Sequence, residues 1–222
     1  MKIILYFLQY IFIKLFFLIC KIIGFKKASN FGKFVGEKIG PIFKSKEIIK
    51  KNINLILPNT SQEDIDIITK KMWGNYGRIL SEYVFLEGFR KGSLEKYLNI
   101  TGLEYLNEIK KKNIPVVFIS GHFNNFELMA MQIEKSGLEL GAIYRPLNNF
   151  FLNSTMENIR KKFICRNQIK KGLSGIREIL NLFKKNISIA LMIDQRVTEG
   201  IKSTFFKKEA FTTTIPAQLV KK

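Results

Sequence analysis

Histidine and cysteine, from which metal centres and disulfide frameworks are built, are scarce in this chain. The sequence contains one histidine, His122, which excludes a metal site built from several imidazoles. Its two cysteines, Cys20 and Cys165, show no CxxC spacing and have no third or fourth partner. A disulfide scaffold and a thiolate zinc site are therefore excluded, and a reducing compartment is indicated. Any chemistry that needs an imidazole has to use His122.

Acidic residues are also few. The 222 residues include 18 Asp+Glu against 37 Lys+Arg, which gives a formal charge of +19, and 30 of the basic residues are lysine. A compositional bias toward Lys, Asn, Ile and Phe explains this charge without a function. The functional interpretation is attraction to anionic lipid headgroups, phosphorylated substrates or an acidic protein. We find no nucleic-acid recognition motif, so no nucleic-acid partner is predicted.

A long apolar run opens the chain. Residues 3–23, IILYFLQYIFIKLFFLICKII, are interrupted by Gln9, Lys14 and Lys21, and as a helix they extend about 30 Å, the thickness of a bilayer core. Lys14 opposes insertion by about 2.5–3.5 kcal/mol, which the surrounding apolar residues can offset. Apolar residues cover nearly all faces, which favours a spanning anchor over residues 1–25 rather than a helix in the membrane plane. More lysines follow the run than precede it, so the bulk of the chain is predicted on the cytoplasmic side.

The rest of the chain divides into a helical part and a mixed part. Residues 26–92 show helical periodicity. Residues 93–222 alternate strands and helices, and two continuous apolar runs, at 114–120 and 187–193, are typical of strands buried in a parallel sheet. Further strands are predicted at 97–101 and 140–144, and helices at 149–163 and 176–183. The predicted fold class is α/β, a mostly parallel sheet with flanking helices, preceded by a transmembrane helix and a helical segment.

Polar residues follow the first buried strand, in the stretch SGHFNNFE at 120–127. Parallel sheets place their sites at the carboxyl ends of strands, where this stretch begins. If His122 precedes the next helix and Glu127 lies in its first turn, the carboxylate can reach an imidazole nitrogen, and a histidine oriented by a carboxylate is a general base. The alternative is structural, because Asn124 and Glu127 also fit a helix-capping pattern, N-x-x-E. Spacing alone leaves both interpretations open.

Four stretches resemble one protein family, and they occur in the family's order. GHFNNFEL at 121–128 is similar to the HxxxxE motif of the bacterial lipid A biosynthesis lauroyl/myristoyl acyltransferases, the late acyltransferases. YRP at 144–146, followed by two asparagines, resembles the family's YRP-x-N-N segment, and a later arginine falls where the family has one implicated in the site. The strand-end Asp-Gln is matched at 194–195, and residues 200–211 resemble a GI-x-V-P-F-F-G-x-x-A-x-T stretch, with Thr204 in place of its Pro and Lys207 in place of its Gly. The N-terminal anchor matches too, so the resemblance runs over nearly the whole chain.

The resemblance implies an acyl-carrier-protein-dependent lipid acyltransferase, which moves a fatty acyl chain to a hydroxyl of a lipid A precursor. The implied catalytic residues are His122 and Glu127, and the implied substrate-binding residues are Arg145, Asn148, Asn149, Arg160, Asp194 and Gln195. The guanidinium of Arg145 suits a phosphate, and Asp194 has the alternative of capping a turn. No metal and no cofactor of the protein's own are implied, since the donor brings the phosphopantetheine of acyl carrier protein.

The resemblance also implies a location and partners. The expected partners are acyl carrier protein, a lipid A precursor and membrane lipids, at the bacterial inner membrane, with a single span and the catalytic part on the cytoplasmic side. Family members continue beyond Thr214 with further strands and helices, so the α/β domain over residues 93–222 is expected to be incomplete at its C-terminus. Two alternatives stay open: an acyltransferase with another lipid acceptor, such as a lysophospholipid, and a catalytically inactive membrane-bound module that binds anionic lipid.

Overall fold

The computed structural model describes residues 2–195, 197–198 and 200–221, and these form two units. One unit comprises residues 11–85. The other comprises residues 2–10 together with 86–221, and it contains the β-sheets. The first helix contributes residues to both units. The segment boundaries that the sequence suggests, after residues 25 and 92, are boundaries of composition and stay predictions.

The unit of residues 11–85 is built from helices. Helix α1 (Lys2–Ile23) runs into it from the N-terminus, and the chain continues with α2 (Phe25–Ile39), α3 (Lys46–Ile56) and α4 (Gln62–Glu82). Ser45 and Ser61 begin α3 and α4, because each hydroxyl accepts a hydrogen bond from the amide three residues further on.

Helices α2 and α4 approach each other closely at glycine. A Cβ atom placed on Gly77 of α4 would overlap the carbonyl oxygen of Gly32 on α2. Beside this contact, Ser29 donates a hydrogen bond to Glu82 (2.7 Å) and accepts one from Arg78 (2.8 Å). A larger side chain at either glycine would force the two helices apart, so the glycines set the distance between α2 and α4.

The second unit alternates helices and strands. Its elements are α5 (Leu86–Arg90), α6 (Leu103–Lys112), β1 (Val117–Ser120), α7 (Glu127–Lys135), β2 (Leu140–Tyr144), α8 (Phe150–Phe163), β3 (Asn167–Lys170), α9 (Leu173–Lys184) and β4 (Ser188–Met192). They are followed by β5 (Ile201–Phe205), β6 (Lys208–Thr212) and α10 (Ile215–Val220). The predicted fold class is confirmed: helices flank a parallel sheet, and α1 is long and apolar enough to be a candidate membrane span.

The main sheet of the described chain has four parallel strands in the order β1-β4-β2-β3. Strand β4 lies between β1 and β2, and its first four residues are buried, as expected for a central strand covered on both faces. The core against this sheet contains Ile169, Ile179, Ile189, Leu191 and Leu219. The strand order places the carboxyl ends of β1, β4 and β2 side by side.

Three elements differ from the sequence prediction. The strand predicted at residues 97–101 is not formed; a 3-10 turn, Glu95–Tyr97, is followed by irregular chain, which finds no strand to pair with in the described residues. Strand β3 was not predicted, because its sequence NQIK is short and polar, and it is held at the sheet edge by pairing with β2. The antiparallel hairpin of β5 and β6 was not predicted either, since its turn residues, Phe206 and Lys207, adopt positive φ without glycine.

Candidate active site

A tight turn carries the single histidine from the end of β1 toward α7. The amide of Phe123 donates a hydrogen bond to the carbonyl oxygen of Gly121 (2.9 Å), and Asn124 adopts a left-handed conformation with φ of +44°. Helix α7 begins at Glu127, and its N-cap residue, Phe126, provides no side-chain hydrogen bond. The predicted capping box between Asn124 and Glu127 is therefore not formed, because Glu127 occupies the first helical position instead of the third.

The register of the sheet brings two strand ends level. Ser120 of β1 pairs with Met192 of β4, and the amide of Ile193 donates a hydrogen bond to the carbonyl oxygen of Ser120 (3.0 Å). His122 lies two residues beyond Ser120, and Asp194 lies two residues beyond Met192. Because neighbouring strands lie about 4.8 Å apart, these two residues face each other at the carboxyl edge of the sheet.

Asp194 holds His122 with both carboxylate oxygens. Oδ2 accepts a hydrogen bond from the backbone amide of His122 (2.7 Å), and Oδ1 lies 2.7 Å from Nδ1 of the imidazole. Burial by itself raises the pKa of Asp194, but the hydrogen bonds from the amide and ring of His122 outweigh it and hold the pKa of the carboxyl below its usual value. An ionised carboxylate only accepts, so Nδ1 carries the proton and donates it to this bond.

The second ring nitrogen of His122 faces a polar side chain. Nε2 lies 3.3 Å from the amide nitrogen of Gln195, which follows Asp194 at the same strand end. With the proton on Nδ1, Nε2 of the neutral ring is an acceptor, and the Gln195 amide donates to it. The ring of Phe126 packs edge-on against the imidazole, with centroids 4.7 Å apart. The imidazole thus presents a fixed lone pair at a position that is partly open to solvent.

Glu127 and Arg160 form a second pair, which joins α7 to α8. The guanidinium of Arg160 donates from Nε (2.8 Å) and Nη2 (2.7 Å) to Oε1 of Glu127. The guanidinium also lies over the ring of Tyr144, 5.7 Å from the ring centroid. Burial raises the pKa of the Tyr144 phenol to about 12, so the phenol stays neutral. The carboxylate that the structure places on Nδ1 of His122 is that of Asp194, whereas the sequence suggested Glu127. The orienting role of Glu127 stays a prediction without this contact to support it.

The asparagines after β2 have different surroundings. Arg145 and Asn148 are exposed at the end of the strand, whereas Asn149 is buried. The side-chain oxygen of Asn149 accepts hydrogen bonds from the second and third amides of α8, at 3.1 and 3.3 Å, and so caps that helix. Its Nδ2 donates to the carbonyl oxygen of Tyr6 (2.9 Å) and to Oε1 of Gln9 (3.1 Å), both in α1. Both polar groups of Asn149 are therefore used within the protein.

A basic patch lies at the same edge of the sheet, and we define it as Arg145, Lys170 and Lys171. Strand β3 pairs with β2 so that Tyr144 is level with Lys170, and the amide of Lys171 donates to the carbonyl oxygen of Tyr144 (2.9 Å). All three cationic side chains are exposed. Arg145 follows β2, the strand beside β4, so the basic patch begins one strand away from Asp194.

A parallel α/β sheet that holds an imidazole–carboxylate pair at its carboxyl edge defines a class of enzyme-like sites suited to activating a hydroxyl or an amine. Residues 1–222 match the family described as bacterial lipid A biosynthesis acyltransferase, and the chain belongs to that family. The resemblance inferred from the sequence motifs is thereby confirmed.

Two relatives have curated names. The chain is 26% identical over 174 residues to the lipid A biosynthesis palmitoleoyltransferase of Escherichia coli (strain K12), and the match covers 73% of this chain and 53% of that protein. The lipid A biosynthesis acyltransferase of Shigella flexneri gives the same values. The chain therefore spans about half the length of the curated relatives it matches.

Proposed function

We propose that the protein transfers a fatty acyl chain from acyl carrier protein to a hydroxyl of a lipid A precursor, with His122 as the general base. The observation that carries this proposal is that the carboxylate of Asp194 binds both the backbone amide and the imidazole of His122 at the carboxyl edge of the sheet. Membership of the lipid A acyltransferase family supports the reaction class, and the names of the two relatives support the acceptor.

In the proposed reaction, Nε2 of His122 takes the proton from the acceptor hydroxyl as its oxygen attacks the thioester carbonyl. The incoming hydroxyl replaces the amide of Gln195 at Nε2, whose hydrogen bond at 3.3 Å is long and therefore weak. The carbon–sulfur bond then breaks, and the phosphopantetheine thiolate leaves with the proton that His122 held. Asp194 fixes the tautomer and stabilises the imidazolium that exists between these steps.

Two further groups fit this reaction. The uncapped N-terminus of α7 presents the positive end of a helix dipole beside His122, which suits the oxyanion of a tetrahedral intermediate. The ion pair of Glu127 with Arg160 ties α7 to α8 and so holds the turn that carries His122. We assign Glu127 this supporting role, since Asp194 occupies the orienting position.

An acyl-enzyme formed on cysteine does not belong to this mechanism. Both cysteines are buried, and burial raises the pKa of the Cys165 thiol to about 12, so that thiol stays protonated and unreactive at neutral pH. Direct attack by the acceptor hydroxyl is therefore the simpler route.

The charge of the protein suits both substrates. The basic patch of Arg145, Lys170 and Lys171 offers a planar guanidinium and two ammonium groups to the phosphates of a lipid A precursor. The formal charge of +19 favours the acidic acyl carrier protein. We place the enzyme at the cytoplasmic face of the inner membrane, attached through α1, where both substrates are present.

The experiment is an acyl-transfer assay with full-length protein, labelled acyl carrier protein thioester and a tetra- or penta-acylated lipid A precursor. His122→Ala should lower the turnover at least about 100-fold, since a general base contributes about 10²–10⁴. Lys112→Ala, which removes an exposed charge on α6, is the matched control and should retain activity. A His122→Ala variant that transfers acyl groups at the wild-type rate would overturn the proposal. Transfer to a lysophospholipid in preference to the lipid A precursor would instead change the acceptor.

A further inference from the structure

The two faces of α1 differ in what they contact. At about 100° per residue, the partly or fully buried positions fall within an arc of about 140° on the helix surface. These positions are Tyr6, Tyr10, Ile13, Phe16, Phe17, Cys20 and Ile23. The remaining arc carries exposed apolar side chains along the whole helix: Ile3, Ile4, Leu5, Phe7, Leu8, Ile11, Phe12, Leu15, Leu18, Ile19 and Ile22. The composition is apolar all round, but the burial is one-sided.

Both halves of α1 are held by folded protein. In the first half, Tyr6 packs edge-on against Phe150 (6.3 Å between centroids), and Phe7 packs on Phe151 (5.6 Å). The side chain of Asn149 also binds this half through Tyr6 and Gln9. In the second half, Phe16 stacks on Phe31 of α2 (5.7 Å). Gln9, the neutral polar residue in the apolar run, thus has its partner in the protein.

Two of the three lysines of α1, Lys14 and Lys21, lie at the boundary between the two faces. Lys14 and Lys21 are seven residues apart, about two helical turns, so they project from the same side of the helix. Both are exposed, and on the helical wheel they fall beside Tyr10, at the edge of the exposed apolar arc. Lys26 and Lys27 follow in the first turn of α2. Lys14 and Lys21 therefore place two positive charges along one margin of the apolar face, and Lys26 and Lys27 add charge just after the end of α1.

We infer that α1 lies in the membrane plane, with its exposed apolar face in the hydrocarbon of one leaflet of an anionic bilayer. Length and hydropathy allow a span as well. However, a span would place Lys14 at mid-membrane and would take the polar partners of α1, such as Asn149, into the hydrocarbon. In the plane, Lys14 and Lys21 reach the phosphate level, as lysine does by extending its apolar stem. The positive margin fits anionic headgroups.

This orientation has a consequence for the site. Residues 2–10 belong to the unit that contains the sheet, so a helix in the plane holds that unit directly on the leaflet. A spanning helix would instead carry residues 2–10 to the opposite surface, away from the rest of their own unit. The contacts of Tyr6 and Gln9 with Asn149 could not then be kept.

Depth-dependent fluorescence quenching tests the orientation. Trp73, the chain's one tryptophan, is replaced by Phe, and Ile4→Trp, Leu15→Trp and Ile22→Trp are introduced singly on the apolar face. Vesicles of phosphatidylethanolamine and phosphatidylglycerol carry bromine at graded acyl-chain depths. In the plane, all three tryptophans should show the same depth, about 5–10 Å below the headgroup boundary. Tyr10→Trp, on the protein-facing arc, is the control and should be quenched least.

A spanning helix would give a different depth pattern. A span places Leu15→Trp roughly 10–15 Å deeper than both Ile4→Trp and Ile22→Trp, because each residue advances the helix by 1.5 Å, and that pattern would overturn the inference. Absence of quenching at all three positions would also overturn it, since the face would then be covered by protein, whether a second copy of the chain or another segment.

Chemical labelling provides a second measurement that does not depend on Trp73. In Lys2→Cys, an impermeant maleimide should react in inverted membrane vesicles and not in right-side-out vesicles, because both ends of α1 lie on the cytoplasmic side. Cys20 and Cys165 are buried and do not compete for the reagent. Reaction only in right-side-out vesicles would establish a span and overturn the inference.

Discussion

The ion pair between Glu127 and Arg160 is almost shielded from water, since 9% and 17% of the two side chains are exposed. Glu127→Gln preserves the volume of the side chain and removes its charge. The guanidinium of Arg160 is then left in a buried position with a neutral partner. The two short contacts from Nε and Nη2 both end on Oε1 of Glu127, so they weaken together.

The expected loss of stability follows from burial. Neutralising one partner of a nearly buried ion pair costs up to about 3–5 kcal/mol, because the guanidinium of Arg160 loses the carboxylate that it faces. In a chain of this size that loss lowers the midpoint of thermal unfolding by roughly 6–20 °C. A double variant, Glu127→Met with Arg160→Met, should be more stable than either single variant, since well-packed apolar side chains replace a buried pair at little cost.

The measurement is unfolding by urea and by heat, in a double-mutant cycle over Glu127 and Arg160. The exposed pair of Glu108 and Lys112, both more than half exposed at 2.6 Å, is the matched control, and it should show a coupling of about 0.2–1 kcal/mol. Stability of Glu127→Gln within 1 kcal/mol of wild type would refute the supporting role. Wild-type stability combined with severely reduced acyl transfer would return the orienting role to Glu127.

Three shorter predictions accompany this one. Asp194→Asn should lower acyl transfer by roughly 10²–10⁴, the usual contribution of a general base, because an amide at this position no longer fixes the tautomer of His122. The pKa of Asp194 is lowered in the folded protein, so its ionised carboxylate contributes fully to the free energy of unfolding above the usual pKa of aspartate. This contribution is lost as the pH falls below about 4. The stability of the Asn variant should not show this part of the decrease at low pH. Gly77→Ala should destabilise by about 1–3 kcal/mol in thermal unfolding, because its Cβ overlaps Gly32. Asn149→Ser, which keeps the cap of α8 but loses the bonds to α1, should cost about 1–3 kcal/mol, and Asn149→Ala about 1 kcal/mol more.

For Asp194→Asn, unchanged turnover would exclude Asp194 as the residue that positions His122. For Gly77→Ala, the control is Lys71→Ala on the exposed side of α4; equal effects in both would mean that the close helix contact does not matter. For Asn149, equal stability of the Ser and Ala variants would show that the cap contributes nothing.

The strands with continuous apolar sequence could be predicted from the chain alone. The segments at 140–144 and 187–193 are β2 and β4, and 114–120 contains β1. In the central strand β4, burial on both faces selects apolar side chains, whereas β1 lies at the sheet edge and is only partly buried although its sequence is equally apolar. Strand β3 could not be found this way. Its polar sequence NQIK is extended because it pairs with β2 at the sheet edge. Backbone pairing of this kind does not require apolar residues, so it cannot be recognised from the amino-acid composition of the segment.

The sequence motifs name candidate site residues, but they do not show which of these residues contact one another. His122, Glu127, Arg160 and Asp194 all came from the sequence, and the structure joins them as two pairs, Asp194 with His122 and Arg160 with Glu127. The nearest carboxylate along the chain, Glu127, was assigned to His122, although the carboxylate bound to it lies 72 residues away. Strand order decides this contact. Once β4 is known to lie beside β1, counting two residues past the end of each strand finds the pair.

The position of β4 in the sheet also governs when the site comes into existence. Strand β4 is made after β1, β2 and β3, yet it is the strand that joins β1 to β2. A chain emerging from the ribosome with β3 complete already contains His122. It still lacks Asp194, which binds the imidazole, and β4, which pairs with β1 and sets the register of the two strand ends. The histidine of such a chain has no contact with Asp194, and the acyl transfer proposed above could begin only after β4 has been inserted between β1 and β2. Acquisition of activity during synthesis would report the insertion of that strand, which is a long-range and intrinsically slow event.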